Sequence, residues 1–192
     1  ILEKENPTHI AVVFDTIGPT KRHEIFPAYK GQRDKAPEEI DIAIPDVDQI
    51  LDAFNIPVYR LSGFEADDLI GTIAKKADQE GFETYMVTTD KDFAQLVTDN
   101  TYLYRLSTRN DTEEIMGIGQ IQEKWDVQRA DQVIDILSLW GDTSDNIPGV
   151  TGIGEKTAQK LLAQFDTVEN LLQSTDQLKG KQRENLENEA EI

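Results

Sequence analysis

The sequence predicts an α/β protein: a parallel-sheet core over residues 1–107, followed by an α-helical region over residues 108–192. Three observations carry that expectation. Short apolar, β-rich runs at 9–14, 57–61, 84–89 and 101–106 alternate with segments of helical period, the order that builds a parallel sheet covered on both faces. From residue 118 onward every periodic segment has helical spacing. The string I-P-G-V-T-G-I-G, residues 147–154, then turns the chain tightly between two helices, as in a helix-hairpin-helix.

Taken in order, residues 1–8 end a helix at Asn6-Pro7-Thr8, and 9–14 (H-I-A-V-V-F) form a buried strand ending at Asp15. Gly18-Pro19 opens an irregular basic stretch, and Pro37-Glu38-Glu39 starts a short helical turn. Residues 46–54 form an amphipathic helix with Val47, Ile50, Leu51 and Phe54 on one face. Pro45 suits its first turn, where an N–H would be unpaired anyway. A second strand covers 57–61. The clearest helix is 66–80, with a stripe of Leu69, Ile70, Ile73 and Ala74 stopped by Gly81. A third strand (84–89) ends at Asp90, a short helix covers 92–98 and a fourth strand 101–106. The helices beyond are 118–125, 130–139, 155–164, 168–173 and a charged terminal one.

The 192 residues are enough for one well-packed domain or a domain with a helical appendage. No apolar run approaches the roughly 20 residues of a membrane span, so no membrane partner is expected, and nothing resembles a signal peptide. Without cysteine, disulfides and thiolate zinc sites are excluded and a reducing compartment is expected. Asn110-Asp111-Thr112 fits a glycosylation acceptor, which chance also produces. A net charge of −18 opposes contact with nucleic acid. Two features offset it. Acids gathered around metal ions are neutralised there, and cations cluster locally: Lys21, Arg22, Lys30, Arg33 and Lys35 against Glu24 and Asp34, with Lys179, Lys181 and Arg183 near the end. The chain opens on Ile1 rather than methionine, which reads as a fragment or as a sequence lacking its start.

Functional groups of an open parallel sheet collect beyond the carboxyl ends of its strands. Asp15 and Asp90 stand there, with Asp92 two residues on. Glu65, Asp67 and Asp68 lie where a loop becomes a helix, with Glu65 and Asp68 able to share a face of its first turn. Asp142 and Asp145 follow an apolar helix. Brought together, these eight acids would repel one another unless protonated or neutralised by cations. Oxygen-only ligation suits Mg²⁺ or Mn²⁺ rather than zinc, and a pair of such ions about 4 Å apart serves in-line displacement at phosphorus. Each acid alone also reads as a helix cap or a turn residue; the combination points to a metal site.

In the hairpin, Gly149, Gly152 and Gly154 let the backbone approach a ligand, and amides at the next helix start can bind phosphate without reading bases. Lys156, Thr157 and Lys160 lie on that helix. In the basic loop, Tyr29 can stack on an unpaired base, and Lys30, Arg33 and Arg22 can neutralise phosphate; a solvated charged face fits the same residues. His23 reads as a packing or capping residue.

The strings V-V-F-D, G-P-T-K-R-H-E, Y-K-G-Q-R, G-F-E-A-D-D, T-T-D-K-D and G-D-T-S-D-N-I-P-G-V-T-G-I-G-E-K-T-A occur here in the order seen in 5′-nucleases. Over nearly its whole length the chain resembles the 5′→3′ exonuclease domains of bacterial DNA polymerase I, which are similar to flap endonucleases. The resemblance implies a PIN/resolvase-like core and a metal-dependent phosphodiesterase. Such an enzyme removes 5′ flaps and primers at single-strand/double-strand junctions of DNA in replication and repair. It also implies that Asp15, Glu65, Asp67, Asp68, Asp90 and Asp92 hold a first metal and its surroundings, and that Asp142 and Asp145 hold a second. By the same resemblance Arg22, Lys30 and Arg33 belong to an arch around the 5′ strand, and the hairpin holds duplex together with a monovalent cation. A polymerase domain C-terminal to the chain and a bacterial cytoplasmic location at the nucleoid are likewise implied. Two departures stand out: the family's first strand, with its aspartate, would precede Ile1, and Lys21 stands where an aromatic residue is usual. The rival expectations are a junction-binding module without catalysis and an RNA-cleaving relative.

Overall fold

The computed structural model describes residues 2–34, 36–107 and 112–189. Lys35 of the basic stretch and Asn110 of the glycosylation triplet lie outside the described residues. The chain divides into two compact units, Ile1–Thr72 and Ile73–Ile192.

In the first unit α1 (Leu2–Glu5) precedes β1 (Val12–Val13), α2 (Lys21–Ile25), α3 (Glu38–Ala53), β2 (Val58–Tyr59) and the start of α4 (Ala66–Gln79). β1 and β2 run parallel, Val12 opposite Val58 and Val13 opposite Tyr59. The Phe14 amide extends the ladder by donating to the Tyr59 carbonyl at 3.1 Å, which leaves Asp15 just past the strand's carboxyl end. Two expectations are corrected. The buried strand expected over 9–14 is only two residues of ladder and half-buried, because β2 is its one pairing neighbour among the described residues. The helix expected from 46 starts at Glu38, with Pro45 inside it. Proline removes one rung of the hydrogen-bond ladder, whereas Glu38, Glu39 and Asp41 favour the positive end of the helix dipole. Val47, Ile50 and Phe54 stay exposed.

The second unit holds β3 (Thr84–Val87), a 3₁₀ turn (Lys91–Leu96), β4 (Thr101–Ser107) and β5 (Thr112–Met116). It continues through α5 (Ile118–Trp125), α6 (Gln132–Trp140), β6 (Gly141–Asp142), β7 (Ile147–Pro148) and α7 (Glu155–Phe165). It ends with α8 (Val168–Gln173), a 3₁₀ turn (Thr175–Gln177) and α9 (Gly180–Glu189). β3 and β4 pair in parallel from Thr84 opposite Thr101 to Val87 opposite Tyr104. β4 and β5 pair antiparallel from Leu103 opposite Met116 to Ser107 opposite Thr112. The parallel pairing is as expected; the antiparallel edge strand is an addition, and the β6–β7 pair corrects the reading that only helices follow residue 118.

The core sits in this unit. Ile121, Val133, Ile136, Ala158 and Leu171 are wholly buried, with Leu103, Met116, Leu139 and Leu162 nearly so. Each large side chain so buried contributes about 1.5–3 kcal/mol of hydrophobic stabilisation. Gln132, also buried, accepts from the amides of Gln128 and Arg129 and donates to the Asp166 carbonyl at 2.8 Å. That side chain ties the start of α6 to the turn between α7 and α8.

Candidate metal centre and hairpin

In the first unit the acids are held at the start of α4. Asp15 accepts the Ala66 amide at 2.7 Å, so the residue after β1 caps the helix that follows β2. Asp68 reaches back to the Glu65 amide at 3.0 Å. Glu65 is buried yet fully engaged: Tyr29 donates its hydroxyl to one oxygen at 3.0 Å, and the Lys30 ammonium donates to the other at 2.9 Å. Arg22 grips Asp68 with both terminal guanidinium nitrogens, at 2.7 and 2.8 Å, the fork geometry that suits a carboxylate. The hydrogen bond from Arg22 holds the Asp68 carboxyl below its usual 3.8.

A carboxyl lowered by its fold stabilises the protein above its unfolded pKa, and that stability disappears as pH falls through the folded value. Asp68→Asn is therefore expected to weaken the fold at neutral pH by less than about 1 kcal/mol, since the pair is partly exposed. It should also flatten the loss of stability below about pH 4. Thermal melts from pH 7 to 2 measure both, and an unchanged acid limb would show that the pair contributes nothing.

Tyr29 differs from expectation. The residue is 5% exposed, its ring edge-to-face with that of His23 at 5.4 Å between centroids. It packs inside and orients Glu65 rather than offering a face to a base. His23 caps α2 as read from sequence, accepting the Thr20 amide at 3.1 Å. Asp67 and Arg33 are exposed. The basic stretch forms α2 followed by turns through residues 27–32, with Lys30 at φ 53° where the chain reverses. A cavity of about 590 Å³ in this unit, lined in part by Asp48, Asp52 and Arg60, contains none of the expected site residues.

In the second unit Asp90, just past β3, caps the 3₁₀ turn by accepting the Asp92 amide at 2.9 Å. Asp142 is buried in β6. One of its oxygens accepts from the Ser144 amide at 2.9 Å and from the Ser144 hydroxyl. The other accepts from Lys91 at 2.5 Å, and the same ammonium donates to Asp92 at 3.0 Å. Burial pushes the Asp142 carboxyl up, but the hydrogen bonds from Lys91 and Ser144 outweigh it and the net direction is down. For Asp92 burial prevails and its carboxyl is raised. Asp145 lies in the turn that follows β6, its amide donating to the Asp142 carbonyl at 3.3 Å.

The eight acids thus divide evenly, Asp15, Glu65, Asp67 and Asp68 in one unit and Asp90, Asp92, Asp142 and Asp145 in the other. Among the described residues of either unit, no three acids or imidazoles stand close enough to grip an ion unaided. In both units an ammonium or guanidinium lies against the carboxylates. The donor chemistry fits a hard divalent ion, being all oxygen and already drawn around positive charge. Sequence reading missed Lys91 and Ser144. The signal for Lys91 was the cation enclosed in Asp90-Lys91-Asp92; nothing local marked Ser144.

The hairpin follows directly. Gly141 lies at φ 88°, and a Cβ on Gly149 would fall 2.2 Å from the Trp140 carbonyl carbon and oxygen. Gly149 therefore packs against backbone. Gly152 at φ 80° makes the turn. Gly154 has ordinary φ, and nothing lies within 4 Å of where a Cβ would stand, so no internal packing demands glycine there. It leads into α7 without a side-chain cap, beside exposed Lys156 and Lys160 and half-buried Thr157. The Thr151 amide donates to Glu189 at 2.8 Å, and its carbonyl accepts from Asn185 at 2.7 Å.

A family model described as 5′-3′ exonuclease, N-terminal resolvase-like domain, matches residues 1–126, and another, 5′-3′ exonuclease, C-terminal SAM fold, matches 128–192. The chain is 47% identical over 189 residues to DNA polymerase I of Bacillus subtilis, covering 97% of this chain and 21% of the relative. It is 41% identical over 180 residues to the thermostable DNA polymerase I of Thermus filiformis, covering 92% and 20%. The chain spans about a fifth of the length of these curated relatives. Among solved structures it is similar to T5 5′-exonuclease with bound zinc, at a TM-score of 0.77 and 27% identity over 96% of this chain and 71% of that one. It is also similar to the bacteriophage T5 D15 flap endonuclease in a pseudo-enzyme-product complex with DNA and metal ions, at 0.78 and 26% over 98% and 72%.

Proposed function

Because the chain belongs to the 5′-3′ exonuclease family, we propose that it hydrolyses phosphodiester bonds at 5′ flaps and junctions of DNA, using two divalent ions, Mg²⁺ or Mn²⁺. The observation that carries this reading is that carboxylates in both units are gathered around a positive charge, Glu65 and Asp68 around Arg22 and Asp92 and Asp142 around Lys91. Asp15, Glu65, Asp67, Asp68, Asp90, Asp92, Asp142 and Asp145 would supply the oxygen ligands. Bound divalent ions supply a nucleophilic water near neutral pH and neutralise the oxygens that enter and leave phosphorus. The chain's own part is to bind and orient. Lys30, Arg22 and Arg33 neutralise the phosphate, the first two once released from Glu65 and Asp68. The open start of α7 at Gly154, with Lys156, Thr157 and Lys160, holds duplex backbone without reading sequence. A monovalent cation held by hairpin carbonyls belongs to the same reading.

The named relatives support a further part of the proposal, that the chain works beside a polymerase domain; a place in the bacterial cytoplasm at the nucleoid belongs to the same proposal. Duplex carrying a 5′-labelled flap, mixed with the protein and Mg²⁺, tests the central claim. Release of short labelled products that stops on chelation is expected. A gel shift without shortening would instead favour a junction-binding module, and preference for RNA lacking a junction would favour an RNA nuclease.

A further inference from the structure

Lys91 lies between two carboxylates that are 50 residues apart in sequence, 3.0 Å from Asp92 and 2.5 Å from Asp142. Ser144 holds the other Asp142 oxygen from both its amide and its hydroxyl, so the oxygen facing the ammonium is the one left for a cation. Asp142 is 8% exposed, whereas the Lys91 side chain is 38% exposed. The acid is fixed; the base has a flexible stem and a way out to water. Asp90 adds negative charge beside Asp92, and without a cation the three would push apart.

We propose that Lys91 is a displaceable counter-ion: its ammonium keeps Asp92 and Asp142 together while no divalent ion is bound, and yields those oxygens when one arrives. The inference rests on the metal-site reading above. It sets Lys91 apart from an ordinary structural ion pair by linkage. Losing a static pair weakens the protein equally with and without metal. Losing a displaceable counter-ion weakens only the metal-free state, so divalent binding tightens by the same amount.

Calorimetric titration of the protein with Mn²⁺, alongside Lys91→Met, Lys91→Arg and Asp142→Asn, tests this. The binding component that vanishes in Asp142→Asn should be about tenfold tighter in Lys91→Met and no tighter in Lys91→Arg. The melting temperature of Lys91→Met should lie below that of the unaltered protein without metal and rejoin it in saturating Mn²⁺. An Asp142-dependent component unchanged in Lys91→Met overturns the counter-ion role and leaves the metal reading standing. Absence of any Asp142-dependent component overturns both. Should Lys91→Met not fold, the side-chain ¹⁵N resonance missing from Lys91→Arg decides the matter in the unaltered protein. Its shift to a solvent-exchanging position on adding Mg²⁺ supports displacement, and its persistence refutes it.

Discussion

Asp142→Asn is expected to slow release of label from a 5′ flap by about a thousandfold or more, a loss of about 4 kcal/mol in transition-state stabilisation. Asp142 is the most buried acid of its half-site, held by Ser144 and facing Lys91. Asparagine keeps its size and one acceptor oxygen but removes the charge that draws a divalent ion. Metal-free stability should fall by about 1.5–3 kcal/mol, the worth of a hydrogen bond to a charged group, and flap binding in a gel shift should be retained. Cleavage within tenfold of the unaltered protein would remove Asp142 from the chemistry.

Gly149→Ala is expected to damage the fold itself. The added methyl would meet the Trp140 carbonyl carbon and oxygen at 2.2 Å and the Gly141 amide at 2.5 Å. These are backbone atoms, which no rotamer change can move aside. A loss of roughly 3–5 kcal/mol follows, lowering the melting temperature by about 6–20 °C. Gly119→Ala is the matched control: nothing lies within 4 Å there, and alanine in α5 should be neutral or stabilising by up to about 1 kcal/mol. Equal melting temperatures for the two variants would contradict the close approach.

Residues 118–125 and 168–173 were legible as helices because their apolar positions recur at helical spacing, and the structure has α5 and α8 at those bounds. β5 was not. Its sequence T-E-E-I-M is exposed up to Met116, so its strand character comes from pairing with β4 and not from an apolar alternation. Pro45 misled in the other direction, since a rule for the first helical turn was applied to a residue that α3 carries in its interior. The acids were legible because they stand where strands end. Their partners were not: the pairing of Lys91 with Asp142 depends on a 3₁₀ turn and a β6–β7 bridge far apart in sequence. Burial of Tyr29 likewise needed the turn that directs its hydroxyl to Glu65.

The contact between Gly141 and Gly149 has a mechanical consequence. Asp142 is the next residue after one side of that contact, and the turn to α7 begins just beyond the other. Two backbones wedged this tightly cannot slide, so the approach to α7 and the buried acid move as one piece.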